Sequence, residues 1–135
     1  MAWDAEQGLK IPGLTANSDL SSKQYYFVKL TSPSKVDVCS AVTDVPIGVL
    51  QNKPAAGQPA EIVGFGVTKI SIDADIAALD WIGPSVDGQA AKVTVGTDTT
   101  VHIAGRVLTE PGAANEIHTA IVNCVTPVRG LTNIL

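Results

Sequence analysis

Valine, isoleucine and threonine together make up 39 of the 135 residues. Branching at Cβ restricts χ1 and disfavours helix, while it suits a pleated surface. Eight prolines and twelve glycines are spread along the chain as punctuation between these runs. A chain of this kind is expected to be all-β, a compact β-barrel or β-sandwich-like domain with at most one short helix. Its length fits one domain, large enough to bury a core without disulfides or a structural metal.

Strand signals begin at Gln24. Gln24–Leu30 is aromatic and β-branched and closes at Ser32-Pro33-Ser34. Val36, Val38, Ser40 and Val42 alternate with Lys35, Asp37 and Cys39, the period of a half-buried strand. Further strands are expected at Ile47–Gln51, Glu61–Phe65 and Val67–Ile72, the last two separated or bulged at Gly64 and Gly66. Asp73–Leu79 has room for one short helical turn capped by Asp73. Trp81-Ile82, Ala91–Val95, Val101–Leu108 and Glu116–Val125 complete the set, and Asp87-Gly88 is the strongest hairpin signal.

Residues 1–22 differ from the rest. They show no period, yet Trp3, Leu9, Ile11, Leu14 and Leu20 are apolar, unlike a disordered tail. The expected organisation is an extended N-terminal arm over 1–22 and a β domain over 23–135. Two readings of the arm stay open: a strap on its own domain, or an arm that docks on a neighbour through Trp3, Leu9, Ile11 and Leu14. The apolar C-terminus, Leu131 to Leu135, needs cover in the same way. An internal echo runs through the domain. Gly48 and Pro54 are matched in spacing by Gly105 and Pro111, each proline followed by small residues and then Glu-Ile. This suggests two β-modules, about 24–72 and 79–128.

The chemistry-bearing residues do not form known catalytic patterns. His102 and His118 lie alone in strands, outside any HExxH or Cys-pair spacing. Gly83-Pro84-Ser85-Val86-Asp87-Gly88 has the wrong spacing for a nucleophile elbow. Asp73-Ala74-Asp75 starts like a calcium loop, but Ala78 and Pro84 stand where glycine and glutamate are needed. Gly64-Phe65-Gly66 lacks the third glycine of a dinucleotide fingerprint. Cys39 and Cys124 are too few for a disulfide framework or a zinc site and read as buried thiols. Neither an enzyme, a cofactor nor a metal is expected.

The partner classes narrow in the same way. Net charge is −4, and the nine basic residues are scattered from Lys10 to Arg129, so nucleic acid is not an expected partner. No apolar run approaches the ~18 residues of a membrane span. The N-terminus lacks the basic region and apolar core of a secretory signal. Only six residues are aromatic, few for the stacked row that a glycan- or single-strand-binding β-module uses. Charged residues make up 16%, below the roughly 25% of an average protein, as suits a subunit of an assembly.

Several segments carry a resemblance. Tyr26–Leu30, the run Pro46-Ile47-Gly48-Val49-Leu50-Gln51-Asn52 after Asp44-Val45, then Pro54-Ala55-Ala56-Gly57, Val67–Ile70 and Ala104–Leu108 resemble the small capsid-cement, or head-decoration, proteins of tailed bacteriophages. The likeness covers about residues 24–125. It implies a β-barrel-like fold without catalysis. It further implies a homotrimer on the outer surface of the capsid that binds the major capsid protein and stabilises the expanded lattice. Another virion component, such as a head-fibre or spike base, and a glycan-binding β-module are the competing expectations.

Overall fold

The computed structural model describes residues 8–74, 76–109 and 113–130. The described residues form twelve strands and no helix. In chain order they are β1 (Leu9–Ile11), β2 (Thr15–Ala16), β3 (Phe27–Ser32), β4 (Lys35–Val38), β5 (Gly48–Leu50) and β6 (Ile62–Ser71). Then follow β7 (Trp81–Pro84), β8 (Ala90–Lys92), β9 (His102–Ile103), β10 (Gly105–Val107), β11 (Ile117–Asn123) and β12 (Val128–Arg129). The all-β expectation holds.

One large sheet runs β2-β4-β3-β5-β6-β11-β10-β7-β8, with β1 added on β6, and β9 and β12 form a separate pair. All pairings are antiparallel except β2 with β4. The sheet curls until Ala90, on its last strand, meets Ile72 just past the end of β6 in a parallel bridge. Read outward from the central β6–β11 pair, the order is β5-β3-β4 on one side and β10-β7-β8 on the other. Both sides thus carry a short strand, then a hairpin. Gly48 opens β5 and Gly105 opens β10. A Cβ on Gly48 would meet the Ile62 side chain and the Val63 carbonyl, and one on Gly105 would run into the Ile121 carbonyl.

Local sequence explains most boundaries. The β7–β8 hairpin turns through Asp87-Gly88, with Gly88 at φ +86° and Ser85 N–H donating to the Gln89 carbonyl at 2.8 Å. Ser34, at φ +64°, closes the β3–β4 hairpin. β3 starts at Phe27 rather than Gln24 because Tyr25 adopts φ +70° at the end of a turn. The ten residues of β6 are continuous, and Gly66, at φ +118°, absorbs the irregularity that the two glycines signalled.

Asp73–Leu79 contains no helical turn among its described residues. Its backbone is bonded to strands instead: Asp73 N–H to the Ala90 carbonyl at 2.8 Å and Leu79 N–H to Val107 at 2.6 Å. Ile76 is sunk in the main core. Tertiary pairing has overridden a weak local preference for helix.

Residues 8–22 are built into the domain. β1 pairs with Ile62, Val63 and Phe65 of β6, and β2 pairs with β4. Leu20 N–H bonds the Pro54 carbonyl, and Ala60 N–H bonds Leu14. Ala16 and Leu20 are buried with Val28, Val36, Leu50 and Ile62 in a second core, which Ile11 and Leu14 flank. The main core lies on the other side of β3 and β5 and contains Phe27, Val49, Val63, Ile70, Ile82 and Val122 among others. The described part of the arm thus packs on its own domain. Trp3 and the tail from Leu131 to Leu135 lie outside the described residues.

Candidate interaction surface

The outer face of the sheet changes character along β6. At Ile62 and Val63 both sides are buried, one by each core. Gly64 and Gly66 then turn Phe65 outward, where it is 50% exposed. Phe65 pairs with Leu9 on β1 and with Asn123 on β11, so three distant segments converge there. Leu9 is 70% exposed, and Val125 is 69% exposed. Together with Ile11, Pro12, Ile47 and Cys124 they line an open groove of about 400 Å³.

Val125 is held outward by its own turn. The Asn123 side-chain oxygen accepts the N–H groups of Val125 at 3.1 Å and Thr126 at 3.2 Å. That is the local bonding for which asparagine is favoured in turns. Cys124 N–H bonds the Gly64 carbonyl at 2.9 Å and fixes the turn against β6. The ion pair of Lys10 with Glu61 at 3.6 Å is exposed on both sides and contributes little.

The apolar face continues across the sheet. Val67 pairs with Ile121, Ile121 with Arg106, and Arg106 with Trp81, so the four share one row. Ile121 is 45% exposed. The Arg106 guanidinium lies 4.3 Å from the Trp81 ring centroid, and its Nε donates to the Leu79 carbonyl at 3.0 Å. Arginine over tryptophan is the favoured cation–π pair, and both are enriched at protein interfaces.

The titratable groups do structural work. His118 is buried, with Nδ1 2.8 Å from the Thr109 hydroxyl and Nε2 3.1 Å from a Glu116 carboxylate oxygen. A proton on Nε2 lets it donate to Glu116 while Nδ1 accepts from Thr109. Glu116 is held below the usual carboxylate range by His118 and then by the Ala113 N–H. The histidine thereby ties both ends of the Thr109–Glu116 loop. Burial, reinforced by Arg129, lowers the pKa of His102. Cys39 and Cys124 are free thiols, and burial pushes both up to about 12. Thiols in that state are poor nucleophiles and poor metal ligands. No group of three metal-ligating side chains occurs among the described residues.

Among the described arm residues expected to contact a partner, Leu9 is exposed and Ile11 lines the groove with it. Ile11 and Leu14 pack against the second core, and Trp3 lies outside the described residues. Phe65, Val125, Ile121 and Trp81 were not expected at a surface site. The glycines flanking Phe65 were the available signal, since a bulge re-aims the residue it contains.

No family model matches the chain, and no curated protein is found similar to it. Among solved structures it is similar to the crystal structure of the head fiber gp8.5 N base in bacteriophage phi29. The TM-score is 0.63, at 14% identity over 87% of this chain and 93% of that chain. The two share a fold. At this identity the likeness concerns architecture alone.

Proposed function

We propose that this chain is a structural, non-enzymatic component of a bacteriophage head, bound to the outer surface of the capsid. The observation that carries the reading is the fold shared with a head-fibre base over nearly the whole of both chains. The apolar groove supports it, because a binding protein needs a convergent surface of this kind and an enzyme needs reactive groups. The major capsid protein is the proposed partner, contacted by Leu9, Phe65 and Val125. Ile11 lines the same groove beside them, and Leu14 packs against the second core. Nucleic acid, membrane and cofactors have no part in the reading.

The proposed assembly is a homotrimer that cements the expanded lattice. Three linked weak contacts raise avidity by about 10²–10⁴-fold over one, provided the geometry lets all engage. A second reading, the base of a head fibre, is favoured by the identity of the structural neighbour itself. Counting copies per purified virion against the major capsid protein separates the two. A cement protein is present in near-stoichiometric number, and a fibre base in far fewer copies. Absence from the virion overturns both. Light scattering checks the oligomer: a trimer has a mass of roughly 42 kDa, three times 14.0 kDa.

A further inference from the structure

The pairing of β9 with β12 is short and stands apart from the large sheet. Each strand has two residues, and their register sets His102 opposite Arg129. Gly130, the residue after β12, fastens the strand. Its N–H donates to the Val101 carbonyl at 3.1 Å, and its carbonyl accepts from the Gly96 N–H at 2.7 Å. A Cβ on Gly130 would lie 2.6 Å from the Asp98 carbonyl oxygen and 3.0 Å from the Val93 side chain. The end of β12 therefore sits directly on the loop between β8 and β9, as a strap held by few bonds.

The strap closes on a histidine that cannot be charged in place. His102 Nδ1 is buried and has no hydrogen-bond partner among the described residues. A neutral ring meets this by carrying its proton on Nε2. A second proton would put an N–H on the buried Nδ1 with nothing to accept it, and a positive charge opposite Arg129. Among the described residues no carboxylate pairs with the ring. β12 brings only Arg129, and β7, packed against β9, brings no ionisable side chain. In the loop under the strap, the Asp98 carboxylate accepts from the Thr94 N–H at 2.7 Å. On the strands beyond, Arg106 of β10 lies over Trp81, and Lys92 of β8 pairs with Asp80. Burial, and then Arg129, accordingly hold His102 below the ordinary histidine range. We infer that β12 is a pH-sensitive latch: it stays closed while His102 is neutral and lets go when Nδ1 takes a proton from solvent, freeing the loop between β8 and β9. A histidine depressed in the closed form favours closure at neutral pH, and that preference is lost as pH falls below the ordinary value of about 6.5. The latch is independent of the capsid contact and is tested on the chain alone.

Amide hydrogen exchange on the full chain reads the latch. Gly96 and Gly130 are the reporters, because their N–H groups fasten it. With rates corrected for intrinsic exchange, both should lose protection several-fold between about pH 7.5 and about pH 5, a range that brackets free histidine. The amides of β6 and β11 should keep theirs. In His102→Phe the two reporters should stay equally protected across the range, and His102→Gln takes its place if the phenylalanine variant fails to fold. Unchanged protection in the wild-type chain overturns the inference. So does a loss that persists in the His102 variant. A loss that β6 and β11 share to the same degree also overturns it, because it reports global unfolding rather than a latch.

Discussion

The strands on the two sides of the central β6–β11 pair follow the same order, yet they differ in what lies over them. On the side of β5, β3 and β4, the register Phe27–Val49–Val63 faces the main core, and the reverse face is buried by Leu20, Ala16 and their neighbours. On the side of β10 and β7, the corresponding row Trp81–Arg106–Ile121 faces outward. Only the opposite face, with Ile82, Val107 and Ala120, reaches the main core. One sheet thus has a two-sided region and a one-sided region. The strands themselves do not decide this. The cover does, and the described cover is residues 8–22, laid over the first region alone.

The sharpest way to break the comparison is to remove the cover. Leu20→Ala empties a fully buried site in the second core and should cost about 2–5 kcal/mol, measured by urea denaturation. A negligible loss would mean that the first region is as one-sided in energy as the second. Next come the two glycines at matched places in the sheet. Gly48→Ala and Gly105→Ala each force a methyl group onto a neighbouring strand and should each cost about 1–3 kcal/mol. Unequal losses would show that the similar strand order hides different packing.

A pH titration sharpens the comparison from the electrostatic side. Lys29, on β3, donates to Asp44 at 2.8 Å, and the Ser40 and Ala41 amides bond the same carboxylate oxygen. Burial works against the charge of Asp44, but Lys29 and the two amides together outweigh it and lower the pKa. A depressed carboxylate stabilises the fold above its unfolded value and loses that contribution as pH falls through the folded value. Stability should therefore decline below about pH 4. In Asp44→Asn that part of the decline should be missing. An unchanged acid profile in the variant would remove this tie from the first region. The smallest effects belong to the groove. Leu9→Ser, Phe65→Ser and Val125→Ser should each change stability by no more than about 0.5 kcal/mol, because these side chains are already largely in water. A larger loss would make them part of the core rather than a surface for a partner.

β4 was legible in the sequence because half-burial writes a period of two around Val36 and Val38, and β11 because its run is rich in β-branched residues. The Asp87-Gly88 hairpin was legible because its turn demands a left-handed residue. The arm was less so. β1 and β2 are three and two residues long, too short to show a period, and only long-range pairing identifies them as strands. β12, equally short, was missed for the same reason. The groove was invisible for a different reason. Leu9, Phe65 and Val125 belong to three segments that meet only through the register of β1, β6 and β11. Exposure of an apolar side chain is a property of that meeting, not of any local pattern.

The central claim is that the apolar groove binds a phage shell. The direct measurement is co-sedimentation of the purified chain with expanded phage shells, beside the combined variant Leu9→Ser, Phe65→Ser, Val125→Ser. The wild-type chain is expected to pellet with the shells to saturation, and the folded variant to stay in the supernatant. A wild-type chain that remains in the supernatant at every concentration, or a variant that pellets as well as the wild type, would contradict the account.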